Sequence, residues 1–116
     1  MVKVIIAGGR DFKDYDKLVE ICDIAFKNNN SIEIVSGVAA GADTLGERYA
    51  IERGHQIKRF PADWDKYGKG AGYRRNIEMA DYAGALLAFW DGASLGTLHM
   101  INKAKEKGLK IKVINY

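Results

Sequence analysis

Three times in this chain a short run of β-branched and other apolar residues ends in a glycine-bearing turn and gives way to a helical pattern. "VKVIIA" leads to "GGRDF", "IEIVS" to "GVAAGADT", and "GALLAFW" to "DGASLGT". Of these, "GALLAFW" is apolar on both faces, as expected of a strand buried in a parallel sheet. From 14 to 28 the apolar residues Leu18, Ile21, Cys22 and Ala25 fall at i, i+3, i+4 and i+7, one face of a helix. "NNNS" closes that helix, a second runs from near Gly41 to Gly54, and "QIKRF" supplies a third strand. Pro61 opens an aromatic and basic connection, "PADWDKYGKGAGYRR", before a helical segment to about Tyr82. A helix from about Leu95 to Lys107, stopped by Gly108, precedes the strand "KIKVIN". The alternation predicts an α/β fold: one domain over 1–116, a three-layer sandwich with five mostly parallel strands in the order 3-2-1-4-5.

Composition narrows the function classes. A chain of 116 residues with 47% hydrophobic and 28% charged residues can bury one core, as ordinary globular domains do. No apolar run approaches the roughly 20 residues that span a bilayer. The basic and apolar start is short and leads straight into Gly8-Gly9-Arg10-Asp11, so it reads as a first strand and not as a signal peptide. Cys22 is the single cysteine, with no Cys or His at metal-ligand spacing. The expected location is the cytoplasm, with no membrane partner and no metal site. Much of the net charge of +3 sits on Lys103, Lys105, Lys107, Lys110 and Lys112, which read as a solvated face.

In an open parallel sheet, ligands bind at the C-terminal ends of the strands, where strand order reverses. That point lies between strands one and four, so Gly8, Gly9, Arg10 and Asp11 should neighbour Asp91, Gly92, Ser94, Gly96 and Thr97. Ser36, Gly37, Gly41 and Asp43 should lie beside them. Glycines admit backbone amides close to an oxyanion, and a helix N-terminus adds a partial charge of about +0.5. "DGASLGT" is thus expected to cradle a phosphate through Gly92, Gly96 and the hydroxyls of Ser94 and Thr97. Arg10 serves either as a phosphate fork or as a partner of Asp11 or Asp43, and Asp43 would accept a ribose hydroxyl or order Arg10. Arg74 and Arg75 are either surface charges or part of the site, with Asn76 after them. Trp64, Tyr67 and Tyr73 form a stacking lid over a base or pack as rim aromatics. His55 and His99 have no nucleophile or metal-ligand neighbour in sequence, and Asp63 and Asp65 flank Trp64 as a loop edge. Neither G-x-G-x-x-G nor G-x-x-x-x-G-K-[ST] occurs, which argues against a dinucleotide fingerprint and against ATP hydrolysis.

Taken together, "GGRDF", "SGVAAGADTLGERYA", "FPADWDKYGKGAGYRRNIEMADYA" and "FWDGASLGT" resemble, in order and spacing, the YspA-like, cpYpsA-related branch of the SLOG superfamily. The resemblance implies a Rossmann-like domain that binds a nucleotide or nucleotide-derived ligand, for sensing or sequestering a signalling nucleotide. Independently of the resemblance, the residues indicate no required cofactor, and the acidic loop residues would hold Mg²⁺ only through a bound phosphate. The exposed-looking aromatic connection of so small a domain predicts a homodimer or higher homo-oligomer that completes the pocket. The segment from Arg75 to Thr97 is more distantly similar to the LOG phosphoribohydrolases, in which an R-K pair precedes a strand and a P-G-G-x-G-T-x-x-E motif. That likeness implies an N-glycosidase as the alternative function. The departures weigh against it: Asn76 replaces the lysine, Trp90-Asp91 replaces Pro-Gly, and Met100 stands where the glutamate is expected. Asp11, Asp43, Glu47 and Asp91 remain open as replacement carboxylates. "SGVAAGAD" is also similar to a stretch of the DNA-processing A family, which implies a third function, single-stranded nucleic-acid binding through Lys66, Lys69, Arg74, Arg75 and Trp64.

Overall fold

The structure, a computed structural model, describes residues 1–116. Its strands are β1 (Val2–Gly8), β2 (Ile32–Ser36), β3 (Gln56–Arg59), β4 (Ala85–Trp90) and β5 (Lys110–Asn115). Its helices are α1 (Tyr15–Phe26), α2 (Ala42–Arg53), α3 (Trp64–Tyr67), α4 (Ala71–Tyr82) and α5 (Leu95–Glu106). The sheet has the order β3-β2-β1-β4-β5, and every pairing is parallel. This is the α/β architecture and the strand order that the alternation predicts.

The period of two along β1 explains the layers. Val4 and Ile6 enter a core with Leu18, Cys22 and Phe26 of α1 and Tyr49 and Ala50 of α2. Ile5 and Ala7 enter the opposite core with Met79 and Ala80 of α4 and Met100, Ile101 and Ala104 of α5. Asp14 caps α1 by accepting the Lys17 amide at 3.1 Å, and Gly54 ends α2 in the left-handed conformation. Cys22 is fully buried, and burial pushes its thiol up to about 12, which leaves it inert. No helix is long and apolar enough to cross a membrane.

The connection after Pro61 is more ordered than the sequence suggests. Asp63 accepts the Lys66 amide at 3.1 Å and starts the four-residue α3, and a 3-10 turn over Gly68–Gly70 leads into α4 at Ala71. Arg74 and Arg75 lie near the start of α4, as expected, and the helix begins a few residues before them at Ala71. A helix of one turn is too short to show apolar periodicity, and only its cap signals it.

Candidate functional site

The loops after β1, β2 and β4 meet at the C-terminal edge of the sheet, because β1 is central and its neighbours β2 and β4 run parallel to it. They close on one another through glycine. A Cβ at Gly41 would overlap the Gly9 carbonyl oxygen and come within 2.6 Å of the Arg10 carbonyl, while the Ala42 amide donates to the Gly9 carbonyl at 3.2 Å. A Cβ at Gly8 would overlap the Phe89 carbonyl oxygen of β4, and one at Gly9 would overlap the Tyr116 hydroxyl. These glycines serve the fit of chain to chain, whereas Gly96 has open space where a Cβ would stand.

Between these loops and α3–α4 lies a cavity of about 520 Å³. Of the residues expected from the sequence, Gly8, Gly9, Arg10, Asp11, Asp43, Arg75, Asn76, Asp91, Ser94, Gly96 and Thr97 line it. Ser36, Gly37, Gly41, Arg74 and Gly92 do not. Ser36 is fully buried, donating to Glu47 at 2.6 Å and accepting from the Val38 amide. Gly37 borders a smaller adjoining cavity and lies against Arg75 and Asp43. Arg74 turns outward over the Tyr67 ring, 4.1 Å from its centroid. Gly92, at φ +85°, supplies the positive φ of a turn in which Asp91 accepts the Ala93 and Ser94 amides, both at 2.8 Å. Those two bonds hold the Asp91 carboxylate below its usual range. Gly92 thus serves the turn, while at α5 no side chain caps the helix N-terminus and the first turn carries no acidic residue.

Arg75 is a clamp as much as a cation. One of its terminal nitrogens donates to the Gly37 carbonyl, and its Nε donates to Asn76 Oδ1 at 3.1 Å. Burial holds its pKa below the usual arginine value, while Asp43 opposes that shift. Asn76, itself buried, donates to the Gly96 carbonyl at 3.3 Å and lies 3.2 Å from His99 Nδ1. Because the amide nitrogen can only donate, His99 Nδ1 accepts and the ring is neutral, in keeping with burial and the nearby Lys103 lowering its pKa. Asn76 thus joins α4 to α5 at the cavity wall.

Trp64 and Tyr73 both line the cavity and both are exposed, whereas Tyr67 does not reach it. Tyr73 stacks on His99 with ring centroids 4.2 Å apart. Lys69 adds a third cation to the wall, and Met79 and Met100 form apolar parts of it. Met100 is 1% exposed, so a buried thioether stands where the distant likeness would place a glutamate.

Among the four carboxylates considered, Glu47 lies off the wall, bound to Ser36 and Arg59. Asp43, at the start of α2, is buried, and this desolvation pushes its pKa up to about 6 against the Ala39 amide and the charges of Arg75 and Arg10. Asp11 accepts the Tyr116 hydroxyl at 2.5 Å across 105 positions of sequence, and nothing local announces that contact. Tyr116→Phe should lower stability by about 1 kcal/mol, read in urea denaturation, because the ring packing on Phe12 survives and only the hydrogen bond is lost.

A model of the YspA, cpYpsA-related SLOG family matches residues 2–67, more than half of the chain and the part carrying the first two loops of the cavity. The Gene 61 protein of Mycobacterium phage D29 is 37% identical over 124 residues, covering 100% of this chain and 97% of that protein. The X-ray structure of DNA processing protein A (DprA) from Streptococcus pneumoniae superposes with a TM-score of 0.78 at 22% sequence identity, a likeness of fold. It covers 100% of this chain and 51% of that one, so the chain spans about half the length of that structure. The match over the first two loops and the full-length relative agree with the motif order seen in the sequence: the chain belongs to the YspA, cpYpsA-related SLOG family.

Proposed function

We propose that this domain binds a nucleotide or nucleotide-derived ligand in the cavity at the C-terminal edge of the sheet, for sensing or sequestration. Membership of a SLOG family and the fold shared with a DNA-processing protein both favour a nucleotide- or nucleic-acid-related function. The observation that carries the reading is that the uncapped α5 N-terminus and Arg10, an exposed arginine without a hydrogen bond or ion pair of its own, line the same cavity. The helix amides and the guanidinium would share a phosphate, and Trp64 and Tyr73 would offer ring faces to a base. Mg²⁺ would enter only with the phosphate. A homo-oligomer would cover the exposed rim of Trp64, Tyr67 and Tyr73. Buried Met100 supports binding over phosphoribohydrolase chemistry, since it supplies neither charge nor proton.

Native mass spectrometry of the purified protein should reveal a bound nucleotide derivative. Titration with AMP should then show binding that Arg10→Ala weakens at least tenfold, the loss of a charge-assisted contact worth about 1.5–3 kcal/mol. Unchanged affinity in that variant would place the ligand elsewhere. Arg75→Ala is the poorer test, since it also removes the clamp on Gly37 and Asn76.

One further reading has its own observation. Lys66 and Arg74 both lie over the Tyr67 ring, and Trp64 and Tyr73 are exposed nearby, a strip of the kind that stacks single-stranded nucleic acid. Affinity for an oligonucleotide that falls steeply with salt would favour it over the mononucleotide.

A further inference from the structure

Three carboxylates line the cavity, and they are not equivalent. Asp11 is occupied by the Tyr116 hydroxyl, and Asp91 by the Ala93 and Ser94 amides. Asp43 has one oxygen, Oδ2, accepting the Ala39 amide at 3.1 Å, while its Oδ1 makes no hydrogen bond within the protein. No buried polar side-chain atom of the protein lacks a partner, so Oδ1 must be reached from the cavity, although the residue as a whole is 5% exposed. Neither Arg10 nor Arg75 forms an ion pair with it. The charged groups around it are Arg75 from α4, Arg10 from the loop after β1, and Glu47 one turn further along α2. Lys69, Asp11 and Asp91 complete the charges of the wall.

An anionic group drawn in by Arg10, Arg75 and the α5 N-terminus would enter the cavity that Asp43 also lines. Two oxyanions in close contact away from bulk water do not both stay ionised; one takes a proton and becomes a donor to the other. On the reading that the ligand is a nucleotide, the structure assigns this role to Asp43: it takes one proton from solvent as the phosphate-bearing ligand binds. Its Oδ1–H then donates to an anionic oxygen of the ligand, and occupancy rises as pH falls. Burial has already moved the carboxyl most of the way, to about 6, and the ligand's charge carries it through neutrality.

Calorimetric titration tests this with AMP and, separately, inorganic phosphate, at pH 7 to 8 in buffers of differing ionisation enthalpy. The wild type should take up close to one proton per AMP, with affinity falling up to about tenfold per pH unit as Asp43 must be reprotonated. Titration of the ligand's own phosphate is common to all variants. In Asp43→Asn, whose amide is a permanent donor, the proton uptake and the excess pH dependence should vanish. Equal proton uptake in the two proteins overturns the assignment, as does a variant that loses affinity equally at every pH, which would mark Asp43 as an ionised acceptor. A carbon-13 NMR titration of the Asp43 carboxyl in the unaltered protein gives a second readout: its pKa should rise on saturation with ligand, and an unmoved or lowered value overturns the assignment. Asp43-dependent uptake with phosphate but no binding of AMP would overturn the nucleotide reading and leave the proton coupling standing; no binding of either overturns both.

Discussion

Gly41→Ala should cost the protein more than about 3 kcal/mol, seen as a fall in melting temperature of more than about 10 °C. Gly41 has φ +76° and ψ −123°, a conformation open essentially to glycine alone. The new Cβ would also be driven into the carbonyls of Gly9 and Arg10, and these are backbone atoms with no rotamer to swing aside. Strain and overlap therefore add. Gly54→Ala is the matched control: φ is +73°, but no atom lies within 4 Å of the site a Cβ would occupy. It should cost only the left-handed backbone term, about 1–2 kcal/mol. Equal losses in the two variants would show that loop-to-loop packing contributes nothing to stability.

Asp43→Asn should change how stability depends on pH by up to roughly 3 kcal/mol, the equivalent of a two-unit shift at about 1.4 kcal/mol per unit. The folded carboxyl titrates near 6 and the unfolded one near about 3.9, so between those values the native state holds a proton that the unfolded state has released. The contribution is present in full below about 3.9 and is lost as pH rises through 6. His55 and His99, whose pKa values burial lowers, act in the opposite direction: their contribution is lost as pH falls through the histidine range. Asp23 and Asp91, held low by hydrogen bonds, act at more acid pH. The observable is consequently the difference between wild type and variant, measured by urea denaturation from pH 4 to 7.5. The variant should gain on the wild type as pH rises from 4 through 6 and hold that gain above it. Parallel curves would mean that Asp43 titrates like an ordinary aspartate.

The parallel α/β architecture was legible because short apolar runs alternate with helical spacing; the strand order was one choice among the few that such connectivity leaves, and the sheet has that order. The position of the cavity followed from the same rule, which locates a switch point from topology alone. Individual wall residues were less legible. Glycine in a loop signals that something approaches closely, without saying whether it is a ligand or another stretch of chain; at Gly8, Gly9 and Gly41 it is chain. Arg74 and Arg75 are adjacent in sequence yet point to different places, because neighbours on a helix are separated by about 100°. Trp64 and Tyr73 were legible only as one of two alternatives, since α3 was hidden by its brevity. Tyr116 was not legible at all: its contacts with Gly9 and Asp11 depend on β5 ending beside the loop after β1.

The contact of Gly41 with the carbonyls of Gly9 and Arg10 has a mechanical consequence. With no side chain between them to act as a cushion, the loops after β1 and β2 cannot shear past one another and must be displaced together, as one stiff body. The facing wall differs: Gly68 and Gly70, ahead of α4, have open space around them. Close packing of backbone on backbone is thus a feature of the β1–β2 side of the cavity, which should keep its shape when a ligand enters, whereas no contact of that kind ties Gly68 or Gly70 to a neighbour.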